Sequence, residues 1–253
     1  MPTPSELLRR FRLMAVPGPA AVAAENVSRD RNRGPPQVSQ TPPRDIIVPT
    51  LPHPSPDFPA AERRIWQLVE SYTGRVGYQR GIKAAGLKAS PPVIDCSGWV
   101  GVLLTSAMTA QNDAANETIF DASDIAACVA WSDRIILEIE ARTSAPLAGR
   151  DINAGTLARN ATIGLDIGDF SWATNYPRTR GINHIVQVVR RPADQAALVS
   201  EAIGPDGEGG VRLMRLDCWL DAFSGPIAAG KAWAVDPFAM ACRQASKPGV
   251  SRL

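Results

Sequence analysis

The chain has 253 residues, and 27 Lys and Arg against 25 Asp and Glu leave a formal charge of +2. Hydrophobic residues at 45% and charged residues at 21% exclude a wholly disordered chain, a collagen and a coiled-coil rod. So neutral a balance also argues against nucleic acid as a partner, because that affinity rests on neutralising phosphates.

Four cysteines, Cys96, Cys128, Cys218 and Cys242, lie far apart with no C-x-x-C pair, so neither a zinc knuckle nor a redox dithiol is written locally. The two histidines, His53 and His184, make any imidazole chemistry easy to locate. No apolar run approaches the roughly 18 to 20 residues that span a bilayer, so no membrane span is expected.

Residues 1–60 hold 13 of the 22 prolines and none of the six tryptophans, which predicts a largely disordered tail. Within it Ser5 to Met14 has basic and apolar residues at helical spacing before the break at Pro17. A frayed amphipathic turn and a helix read by a partner or an export machine both fit that pattern. Its arginines lie inside the apolar segment, unlike the layout of a Sec signal.

From Ala61 the composition changes. Ile65, Leu68, Val69 and Tyr72 form one apolar stripe of an amphipathic helix, and the folded domain is expected over 61–245 with a short tail at 246–253. After a glycine-rich connection, Pro91 and Pro92 stop any helix from upstream. Asp95 then caps a new helix, with Val100, Leu103, Leu104 and Ala107 at helical spacing. Cys96 therefore opens a helix. Residues 122–142 predict a further helix through Ile125, Val129, Ile136 and Ile139, ending on Arg142.

Beyond it the period changes to two. Strands are expected at 161–167, 169–174, 182–189, 196–202, 211–217 and 231–235. Helices followed by consecutive short strands mean an α+β protein with an antiparallel sheet.

A thiol becomes a nucleophile as its thiolate, which a helix N-terminus and a neighbouring imidazole both favour. Cys96 has the first by position. His53 lies in L-P-H-P-S-P, which would not hold a ring in place, so His184 is the candidate for the second. Alternation puts Ile182, His184, Val186 and Val188 on one strand face, the face expected to pack on a helix. Cys128, Cys218 and Cys242 read as small buried hydrophobes, and Trp99, Trp172 and Trp219 as core.

D-C-S-G-W-V at 95–100 resembles the D-C-S-G-[FL]-V signature of the NlpC/P60 cysteine peptidases, papain-like enzymes that cleave cell-wall peptides. In order along the chain, V-G-Y-Q-R-G at 76–81 is similar to the family's Y-x-x-G-G segment and I-G-D-F at 167–170 to its P-G-D-L turn. N-H-I-V-Q-V-V at 183–189 is similar to its catalytic histidine strand, and S-E-A with G-E-G-G-V to its H-A segment and glycine turn. The likeness spans roughly Ile65 to Asp217.

The resemblance implies a papain-like fold with a nucleophile helix on an antiparallel sheet, a helical insertion at 122–142 and no metal or organic cofactor. It makes Cys96 the nucleophile and His184 the general base and acid. Glu201 stands where the family has a His, Asn or Gln that orients the imidazole; here it is either an orienter of the Nδ1–H or a solvated strand-end charge, with Asp217 the next carboxylate in line. Asp95 and Ser97 are implied to shape a pocket for the substrate's amine, and Tyr78 is either packing or substrate lining. Arg80 replaces a family glycine.

The implied activity is hydrolysis of amide bonds in peptidoglycan stem peptides. It would require delivery to the periplasm or cell wall by a secretion-system carrier or phage, and as a toxin it would imply an immunity protein. The same dyad also suits a protease, deamidase or acyltransferase with another substrate, and a non-catalytic binding module of a phage or secretion system is the alternative from a different class.

Overall fold

The computed structural model describes residues 57–168, 178–205 and 208–241. The expected tails and the strand at 169–174 lie largely or wholly outside the described residues. The folded body begins before Ala61, however: Phe58 is buried edge-on against Phe120 at 5.3 Å, and helix α1 runs Pro59–Tyr72 with its proline in the first turn.

Strand β1 (Gly77–Tyr78) pairs in parallel with β2 (Val93–Ile94), and Asp95 then caps α2 (Cys96–Ala115), which ends on Asn116 in the left-handed conformation at φ 51°. The single helix expected over 122–142 is instead two, α3 (Ala122–Ala127) and α4 (Ser132–Glu140). Asp121 and Asp124 form a capping box on α3, and Ser132 and Asp133 open α4, so polar helix starters interrupt the apolar period. Val129, expected on the buried stripe, falls in the break and is 66% exposed.

After β3 (Leu147–Ala148) come β4 (Thr162–Leu165), β5 (His184–Arg190), β6 (Ala197–Ile203) and β7 (Gly210–Arg215). The strand expected through Asp217 stops at Arg215. Leu216, Trp219 and Phe223 are spaced for a helix, and they bury their side chains from α5 (Leu216–Ala222) and its end. Helix α6 (Ser224–Ala228) and β8 (Ala232–Val235) complete the order β2-β1-β7-β6-β5-β4-β8-β3 among the described residues. The protein is α+β as expected, but its sheet is mixed because β1 and β2 run parallel.

The sheet carries a core on each face. On one, Trp99, Leu103, Leu104 and Met108 of α2 meet Ile185, Val189 and Ala202. On the other, Val186, Val188, Val199 and Met214 meet Trp219 and Phe223. Each fully buried aliphatic side chain of this kind contributes about 1.5–3 kcal/mol. Trp99 also donates from Nε1 to Ser200 Oγ at 3.0 Å, tying α2 to β6.

Glycine lets the break between α3 and α4 sit against α2. A Cβ at Gly101 would come within 2.9 Å of the Cys128 carbonyl oxygen. Gly101→Ala should therefore destabilise the chain by about 1–3 kcal/mol in denaturant unfolding, because backbone must move to admit the methyl group. Stability equal to wild type would show that the helix pair is not held there.

Candidate active site

Cys96 stands at the first position of α2, and the turn before it is tied down by one carboxylate. Asp95 Oδ1 accepts from Gly98 N at 2.6 Å and Ser97 Oγ at 3.2 Å, while Oδ2 accepts from Gly81 N at 3.0 Å and Lys83 Nζ at 2.6 Å. The Asp95 amide donates to the Ile82 carbonyl at 2.8 Å. The glycine of D-C-S-G is required by this packing: a Cβ on Gly98 would lie 2.9 Å from Lys83 Cα and 3.0 Å from the Ile82 oxygen.

His184 opens β5, paired with Leu165 of β4. The loop before it is fixed from α4, where buried Asp133 accepts from the amides of Thr179, Arg180 and Ile182 at 3.0, 3.0 and 3.1 Å. Next to the histidine, Asn183 accepts from Ile167 N at 3.0 Å and donates to the Gly168 carbonyl at 2.6 Å. The His184 face of β5 does pack on a helix, but that helix is α5: the ring stacks on Phe223 at 6.0 Å, while Ile182 joins the core on the α2 side. Cys96 lies beside the ring at the start of the strand, close enough to raise its affinity for a proton.

The other edge of the ring belongs to Glu201. His184 Nε2 lies 2.7 Å from Glu201 Oε2, so the orienting contact is made through Nε2 and not through Nδ1 as expected. Nδ1 is thereby the nitrogen left for Cys96. Glu201 has no solvent exposure, which rejects the solvated strand-end alternative. Its Oε1 accepts from Arg212 Nε at 2.9 Å and Nη2 at 2.6 Å, and Trp219 Nε1 approaches Oε2 at 3.4 Å. Asp217 is no substitute: it lies exposed in α5, paired with Arg215.

These contacts fix the charges. Burial opposes ionising Glu201, but the Arg212 guanidinium and the His184 ring more than offset it and hold the carboxyl down at about 2. Burial likewise opposes charging His184, yet hydrogen bonds to Cys96 and Glu201 and the charges of both raise it to about 9. At neutral pH the ring is thus an imidazolium, a donor at both nitrogens, held between Cys96 and a carboxylate.

Cys96, Ser97, Asp95 and Tyr78 line a pocket of about 770 Å³ whose other walls include Lys83, Arg178, Asn183 and Val129 to Ser132. His184 and Glu201 are buried, and neither is among the residues that line the pocket. Of the remaining cysteines, Cys128 is buried, its thiol pushed up to about 12 by burial and Asp124, whereas Cys218 is exposed, contrary to expectation. Cys242 and Trp172 lie outside the described residues; Trp99 and Trp219 are core.

Lys83, Asp133 and Arg212 were not singled out by the sequence. Only Arg212 had a readable signal, because the β6–β7 hairpin register sets it directly across from Glu201. No known family model matches the chain, and no curated protein sequence or solved structure is significantly similar to it.

The array makes stability depend on pH. The folded pKa of His184 lies above its ordinary 6.5, so its share of stability is whole below that value and is lost as pH rises through about 9. That of Glu201 lies below its ordinary 4.5, so its share is whole above that value and is lost as pH falls toward about 2. The melting-temperature advantage of wild type over His184→Gln should be largest at about pH 5 to 6 and shrink by about pH 10. An advantage independent of pH would contradict the charged array.

Proposed function

We propose that this chain is a papain-like cysteine amidase or endopeptidase that acts on peptidoglycan stem peptides, as its likeness to the NlpC/P60 peptidases implies. The observation that carries the chemistry is the buried Cys96, His184, Glu201 and Arg212 array opening at Cys96 into the pocket. The D-C-S-G-W-V motif and the ordered likeness around His184 support the substrate class.

In the first half-reaction the Cys96 thiolate attacks the amide carbonyl carbon. The developing oxyanion is stabilised by backbone N–H groups at the start of α2, the positive end of that helix. His184 then gives its Nδ1 proton to the leaving amine as the C–N bond breaks, leaving a thioester. In the second, the neutral ring takes a proton from water, the hydroxide attacks the thioester, and the acid and thiolate are released. Glu201 keeps Nε2–H in place throughout, and Arg212 keeps Glu201 ionised.

Digestion of purified peptidoglycan, with the new termini identified by mass spectrometry, tests the proposal. Wild type should release new amine and carboxyl ends within the stem peptide. Cys96→Ala should release none while remaining folded, and His184→Ala should be about 10²- to 10⁴-fold slower. Digestion undiminished in Cys96→Ala, or no cleavage of any stem bond by wild type, would contradict it.

A further inference from the structure

The thiolate that Cys96 must become has a carboxylate as its immediate neighbour in the chain. An ionised Asp95 left bare there would oppose a second negative charge at the sulfur, because like charges on neighbouring residues repel. Asp95 is buried, and of its four donors Gly98 N, Ser97 Oγ and Gly81 N are neutral. Among the described residues the cation that forms an ion pair with it is Lys83, whose Nζ lies 2.6 Å from Oδ2.

Lys83 is held at that place by the fold as well as by the ion pair. The Asp95 amide donates to the Ile82 carbonyl at 2.8 Å, and Gly98 leaves so little room that a Cβ on it would lie 2.9 Å from Lys83 Cα. The Lys83 backbone is thus packed against the first turn of α2, and its ammonium also donates to Ser97 Oγ. One ammonium therefore ties down the side chains on both sides of Cys96, Asp95 before it and Ser97 after it. The other ionisable groups around the sulfur are the His184 ring of β5, with Glu201 of β6 behind it, and the pocket residues Tyr78, Arg80 and Arg178, each of which has an interaction of its own.

We propose that Lys83 is a positioning residue of the thiol site. It cancels the charge of Asp95 and fixes the two side chains that flank Cys96, so that the thiolate pairs with the His184 imidazolium with no uncompensated anion beside it. The proposal rests on the thiol-amidase reading and adds to it a residue that acts through Asp95 and Ser97.

Alkylation of the full-length protein by iodoacetamide, an uncharged reagent, tests it. The rate at Cys96 is followed by mass spectrometry of its peptide from about pH 4 to 8, with exposed Cys218 as internal reference. Lys83→Gln should slow Cys96 about three- to tenfold on the acid limb of the profile, where thiolate is scarce, and converge on wild type at the plateau; the range allows for solvent screening of a side chain that is 44% exposed. Lys83→Arg should stay within about twofold of wild type throughout. Adding Asp95→Asn to Lys83→Gln removes both charges and keeps a helix cap, so the acid limb should return to within about threefold of wild type. An acid limb unmoved in Lys83→Gln, or a double variant slower than Lys83→Gln alone, would overturn the role of Lys83 and leave the thiol site standing. So would a uniform loss over the whole profile, which marks a structural support only. A wild-type Cys96 that reacts no faster than Cys218 at about pH 6 would overturn the thiol-amidase reading and this proposal with it.

Discussion

A carboxylate with no contact with water is costly to ionise, and Glu201 is such a group in the middle of the sheet. It is ionised only because Arg212 grips one oxygen from the neighbouring strand and His184 the other. Three strands must therefore hold register at once, since a slip of one residue would turn Glu201 toward α2 and leave a bare charge in an apolar core. The same requirement forces a proton onto His184, so the charge state of the thiol's partner follows from burial of an anion two groups away. Removing either partner would leave Glu201 buried with only part of its charge compensated.

The helices between Cys96 and His184 complete this arrangement. Asp133 of α4 gathers the amides that lead into His184, and the α3–α4 break closes on α2 at Gly101 and walls the pocket. Cys96 and His184 come from distant parts of the chain, and the segment between them touches the approach to each. Its two roles, bracing the histidine and shaping the pocket, explain why it is tightly docked: Ile135, Ile136 and Ile139 are fully buried.

Much of this was legible in the sequence. The start of α2 at Cys96 follows from Pro91, Pro92 and the Asp95 cap, and the strands around His184 and Glu201 follow from their alternation. The apolar period across 122–142 hid a break, because Ser132 and Asp133 begin a new helix and Val129 turns outward. Period-two counting likewise carried β7 into residues whose spacing is helical. Lys83 and Asp133 were illegible for another reason: each acts through a carboxylate or amides that sequence separation conceals, and only the folded chain brings Lys83 to Asp95. The nitrogen used by Glu201 also depends on ring orientation, which no sequence pattern encodes.

The central claim is that His184 is an imidazolium because it lies between Cys96 and Glu201. Proton NMR titration of its ring tests this directly, since His53 is the other histidine and His53→Gln leaves one signal to follow. The account predicts a titration raised to about 9 that moves down in Glu201→Gln and again in Cys96→Ala. A His184 that titrates at or below its ordinary 6.5, unmoved by either substitution, would contradict it.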